Sequence, residues 1–325
     1  MAVSRLRFVF KDNGTYYIDL ARALSLQERR LHRQKMIYTV YGGQMASHTT
    51  SNGATETVKI NTIPNTWPMK TAINRGFRLW KKQRSVAMKN ADLPKGISGK
   101  YSDYKILMNA HHSASSETEA DNEGYTILPS SSHDEALFNA NTPEWDYSDM
   151  VVPAQDAATA GQTAVTDSFL CMAVGGTHSS STSNGVTTYT RVSLVRSWLD
   201  SRATPDLSGT PVLDPDFDSD PLNNLFGNSD TSDEVLELID TENDTPPYDE
   251  ADVFGSCQST ANFANLQRSC VVITTAMNKI QPVAGFQSLC GLIQVKVDEV
   301  SGSGDIADEK EVELILDVET RGEKF

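Results

Sequence analysis

The sequence contains no apolar run long enough to cross a membrane as a helix, which takes about 18 residues or more. Its N-terminus, MAVSRLRFVFKDNG, also lacks the charged, apolar and small-residue order of a secretory signal peptide. We therefore expect a soluble chain with no membrane partner that is not secreted by that route.

Cysteine is scarce, with four residues among 325. Cys171, Cys257, Cys270 and Cys290 are far apart, mostly have apolar neighbours and do not have the spacing of metal ligands. Because free cysteine behaves as a small hydrophobic residue, we expect reduced, buried thiols. No metal or other cofactor is predicted.

Common catalytic motifs are missing as well. The sequence has no GxSxG, HExxH, P-loop or GxGxxG motif, and its six histidines have no obvious nucleophile as a companion. We predict that the protein is not an enzyme. A hydrolase whose His, Asp and Ser come from distant segments is the weakest alternative.

Two polar segments have features of metal sites. His111 and His112 lie in a Ser-, Glu- and Asp-rich region, but adjacent side chains on a loop rarely face one ion, so we expect a solvated loop. Asp214–Asp220 (DPDFDSD) resembles the start of an EF-hand, with Pro after the first Asp, Ser at the sixth position and Leu225 at the twelfth. These departures exclude an EF-hand and leave an acidic surface loop or a looser calcium site.

Charge is divided unevenly along the chain. Residues 1–105 hold 19 Lys and Arg against 6 Asp and Glu, a formal balance of +13. Residues 106–325 hold 9 basic and 37 acidic residues, a balance of −28, which brings the whole chain to −15. One interpretation is two surfaces with different partners, one of them polyanionic. The other is that the two parts neutralise each other across an interface.

Hydrophobic periodicity favours an all-β fold with about eight to ten strands, few helices and no internal repeat. Eleven segments have strand character: Leu6–Phe10, Tyr16–Leu20, Met36–Met45, Glu56–Thr62, Tyr101–Met108, Trp145–Val152, Ser168–Val174, Val186–Trp198, Cys270–Met277, Gly291–Val297 and Glu311–Val318. The first two flank Asp12-Asn13-Gly14, which predicts a hairpin. We expect an antiparallel sandwich or jelly roll with long loops and one or two short helices.

Two basic elements interrupt the β pattern. The segment RRLHRQK, residues 29–35, carries four permanent charges and follows a short helix that begins near Asp19. Met69–Lys89 is predicted to be a helix with seven basic residues and no acidic one. A solvated helix usually mixes charges of both signs, so this helix needs an anionic partner or an acidic neighbour.

The basic elements could neutralise phosphates without distinguishing bases, because nothing in the sequence indicates a recognition helix or an aromatic stacking platform. The predicted nucleic-acid-binding residues are Arg29, Arg30, Arg33, Lys35, Arg78, Lys81, Lys82 and Arg84. Binding would be salt-dependent and indifferent to sequence. The alternative is that these residues only pair with the acidic remainder of the chain.

Several phrases resemble capsid proteins of unclassified circular, Rep-encoding single-stranded DNA (CRESS-DNA) viruses. They are DLARALSLQERRLHRQKMIYTV, IPNTWPMKTAINRGFRLWKKQR, GKYSDYKILM, EWDYSDMVVP and NDTPPYD. The resemblance runs in order from Asp19 to Asp249. Many such proteins begin with a long Arg/Lys arm, whereas this chain starts nearly at its first predicted strand, and NDTPPYD continues as EADVFG where the family often has Tyr-Pro-Gly.

This resemblance implies one jelly-roll capsid domain, residues 1–325, that assembles with copies of itself into a small icosahedral shell around circular single-stranded DNA. The protein would be found in the virion and assemble inside the host cell. Residues 1–105 would line the lumen and the acidic, loop-rich residues 106–325 would face outward or lie at subunit contacts. Without a basic arm, DNA contact is expected from the folded basic elements. The main alternative is an acidic β-sandwich binding module, such as an adhesin or glycan-binding domain, with no nucleic-acid role.

Overall fold

The computed structural model describes residues 2–10, 13–48, 55–90, 102–112, 124, 126–130, 137–138, 145–153, 166–175, 179–183, 186–200, 266–275, 277–301, 312–320 and 322–325. Within them the strands are β1 (Val3–Phe10), β2 (Gly14–Asp19), β3 (Ile37–Ser47), β4 (Thr55–Thr62), β5 (Ile127–Leu128), β6 (Leu137–Phe138), β7 (Asp149–Pro153), β8 (Thr166–Met172), β9 (Ser179–Ser183), β10 (Val186–Ser193), β11 (Gln267–Thr275), β12 (Ile280–Val283), β13 (Phe286–Leu289), β14 (Leu292–Ser301) and β15 (Val312–Glu319). The helices are α1 (Leu20–Glu28), α2 (Trp67–Asn90) and α3 (Leu194–Asp200).

Two antiparallel sheets form the body of the protein. The first has the order β1-β15-β3-β12, and β13 pairs with another part of β3. The second has the order β11-β4-β14-β2. A third sheet, β7-β8-β10-β9, belongs to the long connection between β4 and β11, and in it β8 and β10 run parallel.

The first two sheets share one core. Alternate side chains of β1 and β15 meet those of β2 and β14 in a single cluster, in which Phe8, Tyr16 and Leu314 are fully buried. Removing each such side chain from water stabilises the fold by about 1.5–3 kcal/mol. The prediction of an all-β antiparallel sandwich is therefore confirmed.

Strand pairing in the sandwich is nested. β4 pairs with β11, β3 with β12 and β13, β2 with β14, and β1 with β15, always antiparallel. The chain thus forms one long two-stranded ribbon, and its successive strands alternate between the two sheets. The exception is the tip of the ribbon, where β4 and β11 belong to the same sheet. Residues 63–266 are the connection at that tip.

One end of the sandwich carries all three helices, and we call it the helical end. There β2 finishes at Asp19 opposite Leu292, and β3 starts at Ile37 opposite Leu289. β4 finishes close by, with Thr62 opposite Ile293. α1 connects β2 to β3, and α2 and α3 lie in the connection that starts after β4.

The predicted hairpin between Leu6–Phe10 and Tyr16–Leu20 is wrong. β1 pairs with β15, whereas β2 pairs with β14 in the other sheet. Asn13-Gly14 allows the chain to reverse, but a turn does not decide which ladder each strand joins. Because β2 is buried at every position, its crossing to the second sheet protects more apolar surface than an isolated hairpin could.

The helices also depart from expectation. α2 confirms the predicted helix Met69–Lys89, but its 24 residues make it long. α3 replaces the end of the predicted strand Val186–Trp198, because Leu194, Val195 and Trp198 are buried on one face of a helical turn. Trp198 packs edge-on against Trp67 of α2, with ring centroids 5.1 Å apart. The described residues thus contain three helices, one of them long, and the prediction of a β fold with few helices is confirmed.

Tyr101–Met108 was predicted to be a strand, but residues 102–106 are extended without joining a sheet, and Leu107 makes a single bridge to Met172. The side chain of Gln34 takes the place of a neighbouring strand: its Nε2 donates to the Ile106 carbonyl at 3.0 Å, and its Oε1 accepts the Ile106 N–H at 2.6 Å.

The expectation of a solvated histidine loop is wrong for His112, which is fully buried, whereas His111 is exposed. The His112 ring stacks on Tyr17 at 4.4 Å, and its Nδ1 accepts the Met108 N–H at 3.1 Å. Nε2 then carries the proton and donates to Thr126 Oγ1 at 2.8 Å. Burial lowers the pKa of His112 to about 3, so the ring is neutral.

The thiol prediction is confirmed for Cys171 and Cys290, which are buried and free, while Cys270 is free and half-buried. Cys257 and the acidic loop Asp214–Asp220 lie outside the described residues. None of the helices described above is both long and apolar enough to cross a bilayer. No group of three His, Cys, Asp or Glu in the described ranges could hold a metal ion.

Candidate nucleic-acid interface

Asp19 organises the helical end as the N-cap of α1. Its Oδ1 accepts the N–H groups of Ala21 and Arg22 at 3.0 and 3.2 Å. Its Oδ2 accepts the Gln34 amide at 3.1 Å and the Trp145 indole N–H at 3.0 Å. Burial raises the pKa of Asp19 to about 6, although these bonds and the nearby Arg22 act in the opposite direction.

Ser148 fixes the next two segments together. The Lys105 N–H donates to Ser148 Oγ at 2.9 Å, and the Ser148 N–H donates to the Lys105 carbonyl at 2.9 Å. Gln34 is hydrogen-bonded to Ile106, and Trp145 is hydrogen-bonded to Asp19. One hydrogen-bonded cluster therefore joins three segments that are distant in sequence, around residues 19–35, 102–108 and 145–148.

The basic segment 29–35 begins where α1 ends, at Arg29 in the left-handed conformation with φ 53°. Arg29 and Arg33 are exposed. The Arg30 guanidinium pairs with Glu28 through Nε at 2.7 Å. Lys35 is half-buried over the ring of Phe77 at 4.5 Å, and burial lowers its pKa.

α2 approaches the same place through its middle. Gly76 allows close packing, since an added Cβ would lie 2.6 Å from the Tyr104 hydroxyl and 2.7 Å from Leu194. Trp80 packs against Tyr104 with ring centroids 5.7 Å apart. Arg84 lies over Trp80 and donates to the Ser102 carbonyl at 3.3 Å.

These elements enclose a cleft of about 910 Å³. Its charged lining residues are Arg22, Arg29, Arg30, Lys105, Asp103 and Asp146. Aromatic and other neutral residues complete the lining: Trp80, Trp145, Tyr147, Ser25, Leu26, Leu31, Ser102 and Ser148. Lys105 Nζ lies 4.6 Å from the Trp145 ring centre, so one cation already covers a face of that indole. The cleft therefore has an excess of cations but retains carboxylates and aromatic surface.

The structure places two of the eight predicted site residues in the lining of this cleft and two more near its Asp103. Arg29 and Arg30 line it. Arg33 and Arg84 lie near enough to Asp103 to oppose the rise that burial causes in its pKa. Arg78 is near enough to Lys35 for its charge to lower the pKa of that side chain. Lys81 and Lys82 are exposed on α2 and do not line the cleft.

Sequence reasoning missed Arg22, Lys105, Asp103, Trp80 and Trp145. One signal was present, because all but the last of the phrases that carry the capsid resemblance contribute lining residues. The first phrase contains Arg22, the second Trp80, the third Lys105 and the fourth Trp145. These four phrases lie far apart in sequence, but the fold brings them together at one cleft.

Basic residues in the sandwich behave differently from those at the helical end. Arg5 pairs with Asp317 at 2.7 Å, Arg7 with Glu313 at 2.5 Å, and Lys59 with Asp298 at 2.7 Å. Neutralisation by the acidic remainder thus holds for these strand residues. Within the ranges that the structure describes, Arg29, Arg33, Arg78, Lys81 and Lys82 form no ion pair.

Comparison of the chain with protein-family models, with curated proteins and with solved structures found no match.

Proposed function

We propose that this protein is a viral coat protein, a jelly-roll subunit that assembles into a small closed shell around single-stranded DNA. The nested strand pairing carries the proposal. With β12 and β13 counted as one strand, the first sheet has the order first, eighth, third, sixth, and the second has fifth, fourth, seventh, second. This order supports a jelly roll, the eight-stranded fold of many viral capsid domains.

Exposed apolar residues near the β11 edge support self-association. Val271 and Ile273 on β11 are 44% and 51% exposed, and Ile280 on β12 is 61% exposed. β11 and β12 each lie at the end of the strand order given for their sheets. Apolar side chains on a sheet edge favour contact with another chain, and closed symmetry repeats one such contact many times.

The helical end is the proposed DNA-binding surface. Arg29, Arg30 and Arg33 meet the basic α2 there, and most of these cations have no acidic partner among the described residues. Phosphate contacts of this kind are independent of sequence and weaken as salt rises.

Light scattering coupled to size exclusion tests the proposal. The purified chain is expected to elute as particles of many subunits, with an absorbance ratio at 260 and 280 nm that indicates retained nucleic acid. The competing hypothesis is a glycan-binding β-sandwich, which the aromatic and carboxylate lining of the cleft favours. It predicts a monomer or small oligomer that carries no nucleic acid.

A further inference from the structure

We propose that the cleft at the helical end binds one nucleotide of the single strand in each subunit. In this arrangement Arg29 and Arg30 hold the phosphate, and Asp103 and Asp146 accept hydrogen bonds from the amino group of the base. The inference rests on the proposed function, because it defines how that same surface contacts nucleic acid. It changes the expected binding from phosphate contact alone to contact that favours certain bases.

The size of the cleft suits such a ligand. Small-molecule sites typically enclose about 300–1,000 Å³, and this cleft of about 910 Å³ falls within that range. Its position is also fixed, since Asp19, Gln34, Trp145 and Ser148 tie the walls together by buried hydrogen bonds. A preformed site loses little conformational freedom when the ligand binds.

The cationic wall supplies the phosphate contacts. Arg29 is exposed at the mouth of the cleft, and the ion pair of Arg30 with Glu28 uses its Nε. Arg22 lies buried at the base of this wall, where Asp19 is close enough for the two charges to influence each other. Arginine is suited to phosphate because its planar group can donate two parallel hydrogen bonds.

The acidic wall argues against a site for phosphate alone, which two carboxylates would repel. Asp146 is exposed and close enough to Lys105 to raise its pKa against the effect of burial. Asp103 is half-buried, and its Oδ2 is a buried atom that has no hydrogen-bond partner among the described residues. Carboxylates accept hydrogen bonds from base amino groups, as in the pairing of Asp or Glu with cytosine N4. Guanine offers adjacent N1–H and N2–H donors, whereas thymine has no amino group.

Charges outside the cleft favour a nucleic-acid strand over an acidic sugar. Arg33 and Arg84 lie close enough to Asp103 to lower its pKa against the effect of burial, and Arg78 lies close enough to Lys35 to lower the pKa of that side chain. An isolated sugar carboxylate needs only one cationic contact. A nucleic-acid strand carries a phosphate at every nucleotide, so it can contact several of these basic side chains.

Titration of the nucleic-acid-free full-length chain with dGMP, dTMP, inorganic phosphate and sialyllactose tests the inference. Calorimetry, with quenching of tryptophan fluorescence as a second readout, should give saturable dGMP binding that is at least several-fold tighter than dTMP or phosphate binding. Arg29→Gln with Arg30→Gln should weaken both nucleotides by about tenfold. Asp103→Asn with Asp146→Asn should remove the preference for dGMP. Arg5→Gln, which alters an ion pair of the sandwich, is the matched control and should bind like the wild type.

The outcomes separate this inference from the proposed function. Shells that retain DNA but bind no mononucleotide would contradict the nucleotide site in the cleft and leave the proposed coat-protein function standing. Selective dGMP binding by a chain that never assembles would support the nucleotide site in the cleft and contradict the proposed shell. Preference for sialyllactose, or equal binding of dGMP and phosphate, would overturn the inference. If the paired substitutions prevent folding, Trp80→Phe is measured instead. Because Trp145 also lines the cleft, a smaller amplitude of dGMP-dependent quenching supports the inference and an unchanged amplitude contradicts it.

Discussion

Trp145 donates its indole N–H to Asp19 Oδ2 at 3.0 Å, across 126 residues of chain. The bond joins the long connection between β4 and β11 to the N-cap of α1, and both groups are buried. This hydrogen bond therefore connects the sandwich to the charged cleft.

Trp145→Phe should therefore destabilise the protein by about 1.5–3 kcal/mol, the range for hydrogen bonds to charged groups. Urea unfolding of the purified chain measures the loss. Trp67→Phe is the matched control, because Trp67 is 53% exposed, and it should cost about 1 kcal/mol or less. Equal losses in the two variants would contradict the role given to Trp145.

Gly76→Ala tests the close approach of α2 to its neighbours. At an exposed helical position this change would stabilise a protein by about 0.5–1 kcal/mol. Here the added Cβ would lie 2.6 Å from the Tyr104 hydroxyl, so we expect a loss of about 1–3 kcal/mol instead. Ser85→Ala, on the exposed part of α2, controls for helix propensity. Thermal unfolding that shows Gly76→Ala more stable than wild type would disprove the predicted packing.

His112 should make stability fall in acid. Its pKa is lowered to about 3 by burial, so the unfolded chain takes up a proton near pH 6.5 while the folded chain does not. The contribution is present above about 6.5 and is lost toward 3, by about 1.4 kcal/mol per pH unit. Asp19 acts oppositely, because its raised pKa of about 6 favours the folded state below about 4 and loses that effect as pH rises through 6.

Comparison with His112→Asn separates the two groups, because Asp19 is common to both proteins. Asn can accept the Met108 N–H but cannot titrate, so the variant should be less stable at neutral pH. The gap in urea midpoint should narrow as pH falls from about 7 to 4.5. A gap that stays constant over this interval would show that His112 does not carry the pH dependence.

DNA retention should depend on the helical end. Replacing Arg29, Arg30 and Arg33 with Gln removes three phosphate contacts, so the slope of log affinity against log salt should become shallower by about 2. Particles of this variant should hold less nucleic acid, as measured by their 260/280 nm absorbance ratio. Arg5→Gln with Lys59→Gln removes cations that already have acidic partners and should leave packaging unchanged. Intact particles with normal DNA content in the triple variant would exclude this surface.

Much of the sandwich could be predicted because its signals are local. Ile37–Ser47 and Thr55–Thr62 are rich in β-branched and aromatic residues, and the helix after Pro64 has a clear period. Strand pairing could not be predicted, since Asn13-Gly14 permits a reversal in either sheet. Trp198 illustrates the same limit, because its burial with Leu194 and Val195 and its contact with Trp67 depend on the tertiary fold.

Part of the site was accessible from sequence. The run Arg29–Lys35 stands out by charge alone, and α2 stands out because it has no acidic residue. Arg22 and Lys105 each lie among apolar neighbours without a charged pattern, so their meeting depends on tertiary contacts. The Gln34 bonds to Ile106 span 72 residues and have no counterpart in local propensity.

Negative-stain electron microscopy of the chain expressed alone tests directly whether it assembles into a shell. Over a range of salt concentration and pH, we expect closed, uniform particles built from many copies of the 35.6 kDa chain. A monodisperse monomer of that mass under all of these conditions would contradict it.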